Sequence, residues 1–476
     1  MSTLWSTDAM SDAMQAERAG NLPAGISGIS IDSRTLSKGD AFFAIQGDNR
    51  DGHDFVAAAL KAGASLAVVA EGQRRRFADA PLLVVHDALE GLRALAHAAR
   101  ERLHGRVIAV TGSVGKTTTK EALRLALSAN GETHASVASY NNHWGVPLSL
   151  ARCPPSAKYA VFEIGMNHAG EITPLTRLTR PHVAVITAIE PVHLEYFGTL
   201  EKIADAKAEI FAGVETGGAA VLNRDNAQFA QLAAAARAAG IKRIVSFGEH
   251  GDADARLLRI SLQADSSTVE ARILRQPVTY KVGMPGRHIA LNSLAVLAAA
   301  SLAGADLALA ALALGNLRPP SGRGTRSTLT VPGGTALLID ESYNANPASM
   351  RAAIALLAEA PVGQQGRRIA ILGDMLELGP QGGELHRALA NVIGETGIDL
   401  VFCSGPLMHH LWEALPSRAR GGYAETAAAL EPAVIGAIGA GDAVMVKGSL
   451  GSKMGPIVKA LEKQFPKQTA LERAPG

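Results

Sequence analysis

The sequence predicts an α/β protein of three domains: a small α/β domain, a central phosphate-loop domain with a mostly parallel sheet, and a C-terminal Rossmann-like doubly wound domain. Three observations carry this. A chain of 476 residues exceeds what one hydrophobic core serves. Apolar runs of strand length alternate with alanine- and leucine-rich helical stretches, the pattern of parallel sheets covered on both faces. A glycine loop made of Thr111, Gly112, Ser113, Val114, Gly115, Lys116, Thr117 and Thr118 joins one such run to a helix. The domain boundaries are drawn at 1–87, 88–320 and 321–476.

In order along the chain, Asp40 opens a run that is apolar over 41–45, 46–54 form a polar loop, 55–62 read as a helix and 65–69 as a strand. Residues 87–103 read as a helix that feeds the strand at 106–110. Residues 159–164, 182–187 and 219–222 read as buried parallel strands, whereas 257–282 alternates in the antiparallel manner. Residues 203–211 read as one helix. The apolar stretch 289–314 is broken by Asn292, Ser293, Ser301, Gly304 and Asp306, so it reads as two buried helices and not as a membrane span. Pro319, Pro320, Gly322 and Gly324 mark a loop-rich boundary. Beyond it, strands at 337–340, 368–372, 400–402 and 443–446 alternate with helices, as in a doubly wound sheet.

Composition narrows the function. Apolar residues make up 47% and charged residues 19%, which fits a folded domain protein. A net charge of +2 gives no broad electrostatic case for a nucleic-acid or membrane partner. Cys153 and Cys403 are far apart and lack metal-ligand spacing, and the N-terminus lacks a basic and apolar leader, so a cytoplasmic protein is expected.

The glycine loop turns backbone N–H groups and a helix N-terminus toward one point, which suits a phosphate chain. Lys116 can reach the terminal phosphates of ATP or GTP, and the Thr117 hydroxyl can ligate Mg²⁺. Its first glycine position is Val110, so the loop departs from the commonest spacing. Glu163 ends an apolar strand, where doubly wound sheets hold their ligands, and reads as a Mg²⁺ ligand or as a loop-bonded carboxylate. His193 follows another buried strand and reads equally as a cleft residue or a structural histidine. Asn141 and Asn142 suit a ligand contact or a turn. Asp340, Glu341 and Asn344 end a strand before a helix at Pro347, where ribose contacts and capping by Asn346 both fit. Asp374, Lys447 and Ser449 follow buried strands and could line a second-substrate pocket; Arg323 could reach across a cleft to a phosphate. Lys207, taken alone, reads as a solvent-facing helix residue.

Together these strings resemble the Mur ligase family, ATP-dependent peptide-bond-forming enzymes of bacterial cell-wall synthesis. The carrying motifs are 32–34 with 51–55, 111–117, 140–147, 162–168, 340–347, 373–379 and 446–449, which span all three modules in order. Within the family the likeness is to the enzyme that adds D-alanyl-D-alanine to UDP-N-acetylmuramoyl-tripeptide. The Asp-Asn-Pro-Arg motif of the diaminopimelate-adding sister is absent. The resemblance implies ATP and two Mg²⁺ ions as cofactors. Lys116 and the loop would bind the β- and γ-phosphates, and Thr117 the first Mg²⁺. Glu163, His193 and a carbamylated Lys207 would hold the second. Asp32, Ser33, Arg34, Gly47, Arg50 and His53 would cradle the UDP-sugar in a UDP-sugar-binding first domain. Arg323, Asp340 or Glu341, and Asn344 would contact the nucleotide, with Asn292 near the adenine. Asn141 and Asn142 would contact substrate, and Asp374, Lys447 and Ser449 would lie near the dipeptide.

Two positions depart from the family pattern. Ile289 stands where an asparagine usually meets adenine, and Glu341 where aspartate is usual. A monomer is expected, and the tripeptide's third residue stays open between meso-diaminopimelate and lysine. The alternatives are another Mur-type amino-acid ligase and a nucleotide-regulated binding protein.

Overall fold

The computed structural model describes residues 3–47, 50–77, 79–137, 139–192, 194–263 and 265–468. Strands that are apolar at every position must be buried on both faces, and the central sheet meets that demand. Its strand order is Gln276–Val282, Ser267–Ile273, Ala255–Leu262, Arg243–Gly248, Ala219–Asn223, Val183–Ile186, Arg106–Thr111, Tyr159–Glu163, Thr133–Ala135. Pairing is parallel from Thr133–Ala135 through to Ala255–Leu262, and antiparallel among the three strands at the far edge. Helices Lys116–Ser128 and Arg287–Leu302 cover one face and share a core with Val110, Val185 and Val221. Helices Ile172–Thr179, Leu200–Ala208 and Phe229–Ala238 cover the other, around Ala109, Ala184 and Leu222. The register puts Glu163 opposite Val110 and Ile186 opposite Thr111, so the carboxyl ends of three adjacent strands finish at one edge beside the glycine loop.

The N-terminal sheet runs in the order Glu17–Ala19, Leu82–Val85, Leu66–Ala70, Asp40–Phe43, Gly28–Ser30, parallel except for the Glu17–Ala19 pair. Helix Ala88–Glu101 starts where Asp87 accepts the N–H groups of Leu89 and Glu90. Its Leu92, Leu95 and Ala96 pack both on Phe43 and Val68 of the first sheet and on Val107 and Phe162 of the central one. One helix thus serves two cores and fixes the first domain against the second.

The C-terminal sheet has the order Thr325–Val331, Gly334–Glu341, Ala443–Lys447, Arg368–Gly373, Leu400–Ser404, Arg420–Ala424, with only the first pair antiparallel. The stretch read as two buried helices forms Arg287–Leu302 and Leu307–Ala313. Among the described residues no helix is long and apolar enough to cross a membrane.

One helix differs from its predicted extent. Residues 203–211 do not form a single helix: Leu200–Ala208 is α-helical and Glu209–Gly213 tightens into a 3₁₀ turn. The Glu209 carboxylate accepts the N–H groups of Gly170, Ile172 and Thr173 at 2.5, 3.1 and 3.0 Å, capping helix Ile172–Thr179. That tertiary anchor competes with continuation of the helix.

A buried carboxylate ties the third sheet to its preceding loop. Asp442, 2% exposed, accepts from the Arg367 backbone N–H (2.8 Å), the Arg367 guanidinium (2.8 Å) and the Gly439 N–H (2.9 Å). Burial pushes its pKa up, but the hydrogen bonds from Arg367 and Gly439 win and hold it below the usual value of 3.8. A depressed carboxylate contributes stability that is present above its unfolded pKa and lost as pH falls through the folded one. Asp442→Ala is therefore expected to destabilise the protein by about 2 kcal/mol at pH 7. The gap between variant and parent should close below pH 3.8 in denaturant titrations. A gap that persists there would show the loss to be packing alone.

Candidate active site

The strand Arg106–Thr111 delivers the glycine loop, and the loop opens helix Lys116–Ser128. Gly112 and Gly115 have φ of 147° and 82°, conformations that side chains rarely adopt. A Cβ on Gly112 would collide with the Thr187 hydroxyl, and one on Gly115 would stand 2.6 Å from the Asn292 amide nitrogen. Thr187, just past strand Val183–Ile186, donates to the Val114 carbonyl at 2.5 Å and pins the loop from below. Asn292 lies on helix Arg287–Leu302, so that helix closes over the loop from above.

The loop looks onto a cleft of about 1040 Å³ between the central and C-terminal domains. From the central domain it is lined by Ser113, Val114, Gly115, Lys116, Thr117, Thr118, Asn141, Glu163 and Asn292. From the C-terminal side come Arg323, Glu341, Asn344 and Lys447. At its floor Thr117 Oγ1 donates to Glu163 Oε2 at 2.8 Å, and Asn141 Nδ2 donates to Glu163 Oε1 at 2.7 Å. Both oxygens of a 1%-exposed carboxylate are thereby aimed. Lys116 Nζ donates to the Gly112 carbonyl at 2.8 Å. Burial lowers its pKa, Glu163 opposes that shift, and Arg323 adds to it.

Lys207 is not the solvent-facing residue that its helix alone implies. It is 1% exposed, on the buried face of Leu200–Ala208. Burial, with repulsion from Lys116, drives its pKa well below the ordinary lysine value. Among the described residues no hydrogen bond or carboxylate reaches its Nζ. A buried, uncompensated amine favours the neutral, nucleophilic form.

Across the cleft, Lys447, 2% exposed, donates to the Asn344 carbonyl at 2.9 Å and lies 3.4 Å from Glu341 Oε2. Burial lowers its pKa and Glu341 holds it up. Arg323 stacks over Tyr343, its guanidinium carbon 4.2 Å from the ring centre, and reaches Ser139 Oγ at 3.4 Å.

Several residues expected at ligands are placed otherwise. Asp340 does not line the cleft: its carboxylate accepts the Ser342 N–H (3.0 Å) and hydroxyl (2.6 Å), which leaves Glu341 as the acid facing the cleft. Asn142 forms a turn, accepting the Gly145 N–H at 2.9 Å. Asp374 is buried and accepts the N–H groups of Met408 and Leu407. Burial raises its pKa, those bonds opposing. Ser449 is spent on the Leu376 N–H and the Ala345 carbonyl. These four hold loops in shape.

In the first domain, His53 is 3% exposed and both ring nitrogens are engaged: Nδ1 donates to Asp51 at 2.6 Å, and Nε2 accepts the Ala70 N–H at 3.0 Å. Neither ring nitrogen is left to hydrogen-bond a sugar; the ring braces the loop. Asp32 and Arg34 form a two-point ion pair in an exposed turn, with Ser33 between them, and the hydrogen bond from Arg34 holds Asp32 below the usual carboxylate range. The Gly47 N–H donates to the Arg50 carbonyl at 2.9 Å. None of this group lines the large cleft. Thr111 and Gly112, the first residues of the loop, are not among the residues that line the cleft. His193 lies outside the described residues.

Sequence reasoning missed Ser139, Glu190, His288 and Tyr343, which all line the cleft. Tyr343 belongs to a loop already singled out for its asparagine, and Ser139 immediately precedes another. Glu190 follows a buried strand, a position that was used for Glu163 and could have been used again.

Three family descriptions match the chain: "Mur ligase family, catalytic domain" at 25–100, "Mur ligase middle domain" at 110–300, and "Mur ligase, glutamate ligase domain" at 328–450. A UDP-N-acetylmuramoyl-tripeptide–D-alanyl-D-alanine ligase from Rickettsia prowazekii (strain Madrid E) is 31% identical over 455 residues, covering 96% of this chain and 99% of its own. The crystal structure of MurF from Acinetobacter baumannii superposes with a TM-score of 0.82 at 30% identity, covering 96% of this chain and 99% of that one. MurF ligase from Thermotoga maritima, in complex with ADP, gives a TM-score of 0.74 at 26% identity over 92% and 97%. With its three domain matches in order and a relative this similar along nearly its whole length, the chain belongs to the Mur ligase family.

Proposed function

We propose that this chain is an ATP-dependent ligase that joins D-alanyl-D-alanine to UDP-N-acetylmuramoyl-tripeptide through an acyl phosphate, acting as a cytoplasmic monomer. The observation that carries the ATP chemistry is the glycine loop with Lys116 facing a carboxylate, Glu163, whose two oxygens are held by Thr117 and Asn141. We assign residues 1–87 to the UDP-sugar, 88–320 to ATP and 321–476 to the incoming dipeptide. The turn of Asp32, Ser33 and Arg34 and the loop of Gly47 and Arg50 would meet the UDP-sugar.

The residues fit magnesium. A hydroxyl and a buried carboxylate at hydrogen-bond distance give hard oxygen donors, and Mg²⁺ is normally held by one or two such groups together with substrate phosphates. Thr117 and Glu163 would hold it, with His193. Lys207 would add oxygens after its neutral amine takes up CO₂, forming a carbamate and releasing a proton. When bound, the metal offsets the charge that keeps a carboxylate from a triphosphate.

Lys116 would bind the transferring phosphoryl group, with the loop N–H groups and the helix N-terminus around it. The peptide carboxylate oxygen bonds to the γ-phosphorus while the bond from phosphorus to the β–γ bridging oxygen breaks, and ADP leaves. The dipeptide amine then attacks the acyl carbon, its proton departs, and the carbon–oxygen bond to phosphate breaks to release inorganic phosphate. Arg323, Glu341, Asn344 and Lys447 approach from the C-terminal domain, so closure of the cleft would assemble the site and shield the acyl phosphate from water.

The test is phosphate release from ATP with each substrate alone and with both, with product mass recorded. Release that needs both, with a mass gain of one dipeptide less water, is expected. Release with a different amino acid or UDP-peptide would move the enzyme elsewhere in the family, and ATP hydrolysis indifferent to either substrate would favour a nucleotide switch. Gly115→Ala is expected to weaken ADP binding by about tenfold or more, because a methyl group there strains the loop and displaces Asn292. Calorimetric titration would show it, and unchanged affinity would remove Gly115 from the phosphate site.

A further inference from the structure

The chain leaving strand Val183–Ile186 locks onto the glycine loop. The Ser113 N–H donates to the Ala188 carbonyl at 2.8 Å, and the Ser113 hydroxyl donates to the Glu190 carbonyl and accepts the Glu190 N–H, both at 3.0 Å. From the other side Asn226 brackets Ile189, accepting its N–H at 3.0 Å and donating to its carbonyl at 3.1 Å. The main chain at Glu190 therefore has a fixed place beside the loop that would hold the phosphates. Its side chain is unpaired: Glu190 lines the cleft half-buried, and among the described residues its carboxylate has no hydrogen bond or ion pair.

The facing wall includes helix Pro347–Ala358 of the C-terminal domain, capped by Asn346. It gives Ala348, Ala352 and Leu356 to the cleft, a mostly small apolar face that admits close approach. Arg351 stands one turn from Ala348, at the rim of that face. It is exposed, and among the described residues its guanidinium has no hydrogen bond or ion pair either. The two charges nevertheless act on each other: burial pushes the Glu190 carboxyl up, and the Arg351 guanidinium pulls it back. Opposite charges thus face across the opening, close enough to attract and not in contact. Narrowing the cleft strips water from Glu190, which is costly for a lone carboxylate and much less so for a paired one.

We propose that Glu190 and Arg351 are positioning residues that pair when the cleft narrows, and so draw the C-terminal domain, with Arg323, Glu341, Asn344 and Lys447, onto a glycine loop that holds nucleotide. Ser113 is the link, because a phosphate chain that orders the loop also fixes the point from which the Glu190 carboxylate reaches out. The proposal rests on the ligase reading for what closure accomplishes, and not for the pairing itself.

The experiment compares the parent with Glu190→Gln, Arg351→Gln and the double variant in two readouts. Small-angle scattering with and without Mg²⁺ and ADP reports closure: the parent is expected to become more compact with nucleotide, and each variant to lose most of that change. In steady-state turnover each single variant should lower kcat about tenfold, and the double variant no further than either, because one pair can be broken only once. A parent that nucleotide does not compact would overturn the proposal, as would variants that compact like the parent or losses in kcat that add in the double variant. The expected scattering pattern, without phosphate release from the tripeptide and dipeptide together, would keep the pair and overturn the ligase reading instead.

Discussion

Lys116→Ala is expected to lower substrate-dependent phosphate release by about three orders of magnitude or more while leaving Tm nearly unchanged. Among the described residues the side chain's one hydrogen bond is to the Gly112 carbonyl within its own loop, so its removal disturbs no core. What is lost is a cation placed beside Glu163 in a cleft that lowers its own charge preference through burial. In such a setting a positive charge acts on developing phosphate charge with little screening. Lys116→Arg should rescue poorly, because a planar fork cannot replace a compact ammonium inside a tight glycine loop. Turnover retained by Lys116→Ala, with normal KM for ATP, would sink the phosphate-loop assignment.

Lys207→Met is expected to abolish turnover and at the same time raise Tm by about several degrees at neutral pH. The two effects share a cause. The pKa of Lys207 is driven down by burial and by Lys116, so between its folded and unfolded values the unfolded chain binds the extra proton. Stability attributable to this group therefore falls as pH drops below the ordinary lysine value, and an apolar side chain of similar length removes that penalty. Activity should move the opposite way, because the methionine cannot take up CO₂. The parent enzyme should lose rate in CO₂-depleted buffer and recover it with bicarbonate, and ¹³C-labelled bicarbonate should give a carbamate resonance that Lys207→Met lacks. A parent enzyme indifferent to CO₂, with no such resonance, would leave Lys207 a buried amine and nothing more.

How far these arguments were open to the sequence depends on the range of the forces involved. The buried parallel strands were legible because each carries a near-continuous apolar run, as Val183–Ile186 does. The edge strand Thr325–Val331 was not: its Thr325, Arg326, Ser327 and Thr328 give no apolar signal, and it forms by pairing with Gly334–Glu341. That Lys116, Thr117 and Glu163 come together was readable because strand order and strand ends place them. The partition between Asp340 and Glu341 was not, since it turns on which carboxylate bends back to Ser342. His53 and Asp374 carry the same lesson. Both look like site residues in a motif, and both are held by backbone N–H groups from Ala70 in one case and Leu407 and Met408 in the other. Lys207 is the reverse case: only the packing of its helix on the sheet reveals that a lysine is buried beside another.

The bond from Arg323 to Ser139 spans 3.4 Å, near the upper limit of a useful hydrogen bond, and Ser139 also stands 3.2 Å from the Thr117 hydroxyl. So light a contact between the central and C-terminal domains, beside the glycine loop, suits an enzyme that must let go of its products. A tighter bolt would hold the closed form after the chemistry was over, and the slow step of each cycle would become the departure of ADP and the lengthened peptide. A long, weak contact at this point resists opening of the cleft less than a short one would, which favours release of products over their retention.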